Sequence, residues 1–122
     1  MIKGIIVVSE FWTRLFSWGR ADAITLFPFI FLRKKEFKED KVLINHERIH
    51  LQQAVELLVI LFYLIYVLEF LYAFIFYFDF NKAYRCISFE REAYTYQGNL
   101  TYLNKRKLWS FWKFVKNSKN KA

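Results

Sequence analysis

Both histidines of this 122-residue chain lie in one five-residue segment, His46-Glu47-Arg48-Ile49-His50. In an α-helix, side chains four positions apart lie on the same face, one turn apart, so both imidazoles face one point. Two imidazoles are suitable ligands for zinc. Glu47 is rotated by about a third of a turn from this face, where it reaches a water on the metal without being a ligand, as a general base does. The segment therefore predicts a hydrolytic zinc site on a helix.

A catalytic zinc ion needs a third protein ligand and keeps a fourth position open for water. Because the chain has no further histidine, a carboxylate is expected to be the third ligand. In the segment 88–97, one helical face comprises Glu90, Ala93, Tyr94 and Gln97. The small residue at 93 permits this helix to pack close to the histidine helix, whereas Glu92 points about 160° further round the helix axis. Glu90 is therefore the better candidate.

The chain resembles the gluzincin zinc metallopeptidases, and most closely their membrane-embedded branch, the prenyl-protein (CaaX) protease group. The resemblance rests on HERIH at residues 46–50 followed by EREAY at residues 90–94, and it covers roughly residues 24–97. Small bacterial proteins with a similar HERIH helix and FEREAY segment share this pattern. The resemblance implies a Zn²⁺ cofactor bound by His46, His50 and Glu90, with Glu47 as the base, and a peptide or protein substrate.

One apolar segment falls where zincins have the edge strand that pairs with an extended substrate. This segment is ITLFPFIFL, residues 24–32. Pro28 cannot donate a hydrogen bond to a strand ladder, which also favours a position at the edge of a sheet. An unpaired edge would suit binding of a peptide by β-addition.

The sequence departs from the family at one supporting residue. Tyr94 stands where the family has an aspartate that supports a ligand histidine, so the group that orients His46 or His50 is left open. A phenol or a guanidinium can donate a hydrogen bond to a developing oxyanion. Tyr94, with Tyr84 and Arg85 as further candidates, is therefore the expected catalytic partner of Glu47.

The composition favours a lipid partner. Hydrophobic residues make up 56% of the chain and aromatic residues 22%, and the formal net charge is +8. Trp, Tyr and Lys gather at membrane interfaces. Binders of single-stranded nucleic acid also combine aromatic with basic residues, but without long aliphatic runs, so no nucleic-acid partner is expected. Cys86, the single cysteine, cannot form an internal disulfide and is a weak candidate for a zinc site of this type.

The expected fold is mainly α-helical with a short N-terminal β-strand or hairpin (α+β), built around a minimal zincin-like helix pair in one domain. A strand is predicted at residues 5–8, an amphipathic turn or short helix at 10–20, and Asp40 is the expected N-cap of the histidine helix. The predicted parts, in chain order, are a strand and edge region at 1–41, the histidine helix and apolar segment at 42–78, the glutamate helix at 83–98, and a basic aromatic C-terminal helix and tail at 103–122.

The apolar run raises a question of topology. Two uncharged stretches, 57–68 and 70–78, flank Glu69. If residues 55–78 crossed the bilayer as one straight helix, His50 and Glu90 would lie on opposite sides and could not share a metal ion. The run is therefore expected to bend near Glu69, to lie in or on one leaflet, or to be covered by partner subunits. The favoured arrangement is monotopic.

These patterns predict a small membrane-associated, zinc-dependent peptidase. The site is expected at the cytoplasmic face of the inner membrane, with the basic tail against anionic headgroups. An oligomer interface is an alternative use of the apolar surface. Two other classes of function compete with the peptidase: a catalytically inactive zincin-like membrane scaffold or regulator, and an aromatic-basic nucleic-acid binder whose affinity would depend steeply on salt.

Overall fold

The computed structural model describes residues 3–116, which form a mainly helical chain with one small sheet near the N-terminus. This confirms the predicted α+β class. The strands are β1 (Ile5–Val8), β2 (Ala23–Leu26) and β3 (Phe29–Leu32). The helices are α1 (Glu10–Ser17), α2 (Lys41–Glu56), α3 (Ile60–Tyr77), α4 (Phe80–Cys86), α5 (Ser88–Tyr96), α6 (Tyr102–Lys105) and α7 (Trp112–Lys116), with a 3₁₀ turn at Lys35–Glu39.

The segment 24–32 forms a hairpin, so the prediction of a single edge strand was wrong. The chain reverses at Phe27–Pro28, a cis peptide bond, because proline cannot continue a strand ladder. The two halves then pair with each other, β2 antiparallel to β3, while β1 pairs parallel to the other side of β3. The strand order is β1-β3-β2, so β2 is an edge strand and β3 is central.

The break in the long apolar run lies before α3 and not at Glu69. α3 continues through Glu69, whose carboxylate accepts hydrogen bonds from Ser88 N and Oγ at 2.7 and 2.9 Å. The bend at Glu69, one of three arrangements expected for this run, is therefore absent, because this glutamate has partners at the start of α5. The chain turns instead at Leu58 and Val59, whose φ angles are 56° and 64°. A positive φ is unfavourable for a β-branched residue, so tertiary packing imposes this turn.

The two sides of α3 differ in polarity. Its inward side carries Phe62, Tyr63, Tyr66, Glu69 and Ala73, spaced three or four residues apart. Its outward side consists of exposed apolar and aromatic side chains: Ile60, Leu61, Leu64, Val67, Leu68, Leu71, Tyr72, Ile75 and Phe76. By length and composition α3 qualifies as a membrane-spanning helix, and 11% of it is buried in the protein. The carboxylate of Glu69 and the hydroxyls of Tyr63 and Tyr66 therefore face the protein, whereas Tyr72 is exposed on the outward side.

A separate short helix, α4, precedes the helix that carries Glu90. Asp79 caps α4 by accepting a hydrogen bond from Lys82 N at 3.1 Å. The chain then kinks at Ile87 (φ −61°, ψ 129°) before α5 begins. The predicted glutamate helix at 83–98 is thus two helices. α4 packs back along α3, and this return brings α5 against α2.

The predicted continuous helix from residue 103 is also wrong within the described residues. α6 and α7 are short and are joined by turns, one of which gives Trp109 a φ of 58°. Trp109 donates from its backbone N and its Nε1 to Glu56 at the end of α2, at 3.0 and 3.3 Å. These contacts require the chain to leave the helical path. Residues 117–122 of the predicted tail lie outside the described part.

The close contact of the first strand with α2 leads to a stability prediction. Gly4 has a φ of 77°, and a Cβ there would lie 2.4 Å from Cδ1 of the fully buried Leu51. We expect Gly4→Ala to lower the free energy of unfolding by about 1–3 kcal/mol, through both overpacking and backbone strain. Denaturant titration measures the loss.

Two further glycines separate these causes. Gly19 has a φ of 72° but no atom within 4 Å of an added Cβ, and Gly98 has neither a positive φ nor a close neighbour. Gly19→Ala should report the backbone term alone, and Gly98→Ala should be close to neutral. A loss for Gly4→Ala no larger than that for Gly19→Ala would show that the contact with Leu51 is unimportant.

Candidate metal centre

α2 presents both histidines to the interior. Asp40 is its N-cap, as predicted, and accepts a hydrogen bond from Leu43 N at 3.0 Å. His46 and His50 are each 5% exposed and their rings lie 4.8 Å apart, centroid to centroid. Their spacing on one helix therefore places two imidazoles together in a buried environment.

α5 brings the carboxylate of Glu90 to the same place. Ala93, one turn later, is fully buried where α5 packs on α2, as its small size suggested. Glu90 Oε1 lies 3.1 Å from Nε2 of His46 and 3.1 Å from Nε2 of His50, and the two Nε2 atoms are 3.2 Å apart. Among the described residues, these three side chains form the group whose spacing suits a metal ion.

The triangle of ligand atoms has the dimensions of a zinc site. Tetrahedral zinc has bonds of about 2.0–2.1 Å to nitrogen and oxygen, which puts neighbouring ligand atoms about 3.3 Å apart. The observed sides of 3.1–3.2 Å are close to this value. A small expansion would therefore admit the ion, with the fourth position left for water. The two-histidine, one-carboxylate donor set is one that catalytic zinc sites use.

Two glutamines hold the outer nitrogens of the imidazoles. His46 Nδ1 lies 2.8 Å from Gln97 Oε1, and His50 Nδ1 lies 2.9 Å from Gln53 Oε1. The Gln53 amide has a defined orientation because its Nε2 donates to Phe89 O and to Glu92 Oε1. A carbonyl oxygen at Nδ1 keeps a proton there, so Nε2 is the nitrogen that faces Glu90 and is able to bind a metal ion. The side-chain amides of Gln97 and Gln53 therefore orient the two histidines, a role for which Tyr94 offers no carboxylate.

Three phenols surround Glu90. Tyr66 donates to Glu90 Oε2 at 2.6 Å, and Tyr84 donates to Glu90 Oε1 at 3.1 Å. The Tyr94 hydroxyl lies 3.1 Å from that of Tyr84, and its ring lies edge-on to His46 at 4.5 Å. Since the single Tyr84 proton is committed to Glu90, Tyr94 is the donor between the two hydroxyls.

The proposed base is also held in place. Glu47 is 6% exposed, and Thr25 Oγ1 donates to its Oε1 at 2.7 Å. The same hydroxyl lies 3.1 Å from the backbone oxygen of Glu47. β2 thus positions the side chain that follows His46 on α2.

The acid–base properties of the cluster reflect opposite charges in a buried place. Burial lowers the pKa of His50, but attraction to Glu90 outweighs it and raises the pKa to about 9. Burial by itself would raise the pKa of Glu90, but the neighbouring imidazoles outweigh this effect and hold it well below the ordinary value of 4.5. A positive charge among these atoms is therefore favourable.

Sequence reasoning found the inner residues and missed most of those around them. The predicted ligands His46, His50 and Glu90 meet, and Glu47 and Tyr94 lie beside them. Arg85 does not point at the ligands, because its guanidinium stacks on the Tyr94 ring at 4.0 Å. The sequence signal for the missed residues was weak. They comprise Thr25, Gln53, Tyr66 and, in its role as a hydrogen-bond partner of His46, Gln97.

No protein-family model, curated protein or solved structure matches this chain. The geometry of the residues is therefore the basis for the functional argument.

Metal analysis tests the ligand set. We expect near-stoichiometric zinc in purified wild type and a loss of most of it in His46→Ala, His50→Ala and Glu90→Gln, because each removes one of three protein ligands. Inductively coupled plasma mass spectrometry counts the zinc. Glu36→Gln, at an exposed glutamate, is the matched control. Full zinc in Glu90→Gln would exclude this carboxylate as a ligand.

The metal-free protein should lose stability as pH rises. The folded pKa of His50, about 9, exceeds its ordinary 6.5, so its stabilising contribution is complete below pH 6.5 and lost as pH rises through 9. The Glu90 contribution is present above pH 4.5 and is lost only at lower pH. Denaturant titration of chelator-treated protein should therefore show a falling free energy of unfolding between pH 6.5 and 9. If the free energy of unfolding of His50→Gln fell equally steeply over this pH range, His50 would be excluded as the cause.

Proposed function

We propose that this protein is a small, membrane-associated, zinc-dependent peptidase that hydrolyses peptide bonds. The observation that carries the proposal is the triangle of His46 Nε2, His50 Nε2 and Glu90 Oε1, with sides of 3.1–3.2 Å, beside Glu47. Zinc held there would supply a Lewis acid that polarises the scissile carbonyl and lowers the pKa of a bound water. Side chains of the protein are proposed to carry out proton transfer and oxyanion stabilisation.

Glu47 is proposed as the general base. Its position directly after His46 puts the carboxylate beside the ligands without making it one of them. Thr25 binds Oε1 at 2.7 Å, so Oε2 is the oxygen proposed to take the proton from the attacking water. The same carboxyl group then passes the proton to the leaving amine. The hydrogen bond from β2 restricts the rotation of this side chain between the two steps.

Tyr84 and Tyr94 are proposed to stabilise the oxyanion. The Tyr84 hydroxyl lies 3.1 Å from Glu90 Oε1, an oxygen proposed to bind the metal ion. Glu90 Oε1 would hold the Tyr84 proton less strongly if it also served as a metal ligand. Tyr84 could then donate to the oxyanion, with Tyr94 donating to Tyr84 and maintaining its orientation.

The edge strand β2 is proposed to bind the substrate backbone. β2 lies against α2 at the level of Glu47 and has one side unpaired in the three-stranded sheet. Tyr63 covers part of this side, since its hydroxyl accepts from Phe27 N at 3.0 Å and donates to Thr25 O at 3.4 Å. A peptide pairing with the rest of β2 would pass beside the proposed base.

Membrane association is supported by the surface of the protein. The outward side of α3 is apolar over its whole length, about 27 Å at 1.5 Å per residue, and monomeric soluble proteins rarely expose such a continuous area. Trp109, Trp112 and Leu108 are exposed beside Lys107 and Lys113 in the C-terminal segment. Aromatic and basic side chains together suit an anionic headgroup layer, as on the cytoplasmic leaflet of the inner membrane.

A zinc-binding scaffold without catalysis is the alternative. It is favoured by the fact that Glu90, Tyr66 and Tyr84 form a closed hydrogen-bond network, which also stabilises the packing of α3, α4 and α5. Such a scaffold would hold zinc but would cleave no peptide. An oligomer that buries the outward side of α3 is compatible with either function.

Glu47→Gln should separate chemistry from metal binding. We expect kcat/KM to fall by about 10²–10⁴ because the general base is lost, while the zinc content stays at the wild-type level. Mass spectrometry of cleavage products from a mixed peptide pool supplies the rate. Glu36→Gln serves again as the control. Cleavage by Glu47→Gln at the wild-type rate would exclude Glu47 as the general base. Zinc-loaded wild type that cleaves no peptide would favour the scaffold.

A lysine on the outward side of α3 should weaken membrane binding. Leu68 is 56% exposed, so Leu68→Lys leaves the core intact but puts a charge on the proposed lipid-facing surface. We expect its partition coefficient onto phosphatidylcholine–phosphatidylserine vesicles to fall at least about tenfold, measured by flotation. Val42→Lys, at an exposed apolar residue of α2, is the matched control. Equal flotation of both variants would place the membrane contact elsewhere.

A further inference from the structure

A second buried polar cluster lies behind the ligand His50. It consists of Glu56 from α2, Glu92 from α5 and Arg106 from the segment after α6. The side chains are 4%, 0% and 1% exposed, respectively. Arg106 Nε donates to Glu92 Oε2 at 2.5 Å and Nη1 donates to Glu56 Oε2 at 2.5 Å, so one guanidinium joins two carboxylates. The Tyr102 hydroxyl also donates to Glu92 Oε2.

A chain of hydrogen bonds links this cluster to the metal ligand. Arg106 Nη2 donates to Glu92 Oε1 at 3.1 Å, and the same oxygen accepts from Gln53 Nε2 at 2.9 Å. Gln53 Oε1 then lies 2.9 Å from His50 Nδ1. Every step uses a buried atom, so solvent does not substitute for a missing partner.

Glu92 determines which end of the Gln53 amide faces His50. A carboxylate accepts hydrogen bonds and cannot donate them, so it requires the amide nitrogen of Gln53 on its own side. The amide oxygen must then face His50 Nδ1, which keeps a proton there and leaves Nε2 free as a ligand. Arg106 holds both oxygens of Glu92 and thereby prevents the carboxylate from rotating away.

We propose that Glu92 and Arg106 are positioning residues for the metal ligand His50, acting through Gln53. The inference rests on the proposed zinc centre. It assigns a role to the C-terminal segment, because Arg106 reaches α2 and α5 only when that segment is folded onto Glu56. Hydrogen bonds that orient a ligand histidine through its outer ring nitrogen change metal affinity by about 10- to 100-fold.

The test compares zinc affinity across matched variants of the full chain. Gln53→Leu removes the acceptor for His50, and Glu92→Gln removes the group that orients Gln53 but leaves the balanced pair of Arg106 with Glu56. Competition with a chromogenic chelator should show Zn²⁺ affinity reduced about 10- to 100-fold in both. Gln52→Leu, at the neighbouring half-buried glutamine on α2, removes a 3.4 Å hydrogen bond to Glu56 Oε2 but leaves the path from Arg106 through Glu92 and Gln53, so it should retain wild-type affinity.

A second readout distinguishes positioning from a merely structural role. In wild type, with or without zinc, ¹H–¹⁵N spectra should contain a slowly exchanging proton on His50 Nδ1, and this signal should weaken in Gln53→Leu and Glu92→Gln but not in Gln52→Leu. If Glu92→Gln fails to fold, Arg106→Lys retains the charge without the planar fork and should show the same two losses.

The outcomes separate the two proposals. Wild type that binds no zinc would overturn the proposed centre, while the Nδ1 proton would still support or contradict the orientation of His50. Zinc affinities within about twofold of wild type, together with an undiminished Nδ1 signal, would overturn the positioning role while leaving the zinc centre intact.

Discussion

Three electron-rich atoms converge in the interior of this protein, and most of the surrounding structure holds them there. Two imidazole nitrogens and a carboxylate oxygen lie within 3.2 Å of one another at positions that are almost fully buried. Such an arrangement is repulsive unless a cation lies among the atoms. In the metal-free chain a proton on His50 fills this role, which is why its pKa is raised to about 9. A divalent ion would fill it with better geometry.

The path of the chain satisfies the topological constraint that this convergence imposes. His50 and Glu90 can share an ion only if the apolar helix between them is followed by a return. The turn at Leu58 and Val59 folds α3 beside α2, and α4 then leads back along α3 to α5. Hydrogen bonds from the inward side of α3, through Tyr66 to Glu90 and through Glu69 to Ser88, connect this helix to the centre. The outward side of α3 remains exposed.

The sequence was sufficient for the centre but not for its surroundings. Helical periodicity relates His46 to His50 and Glu90 to Ala93, so two imidazoles on one helix face and a small residue one turn after Glu90 were predictable. The site of the chain reversal was not, because Leu58 and Val59 carry no turn signal and their backbone conformation depends on tertiary contacts. The role of Gln53 was not predictable either, since only the folded chain shows Glu92 and Arg106 beside it. The split of residues 24–32 at Pro28 was readable in principle, because proline ends ladders more often than it borders them.

X-ray absorption at the zinc edge is the most direct measurement of the central claim. The account predicts one zinc ion per chain with two imidazole nitrogens and one or two oxygens at about 2.0–2.1 Å and no sulfur neighbour. A protein purified without zinc that fails to take it up, or a sulfur scatterer at about 2.3 Å that would implicate Cys86, would contradict it.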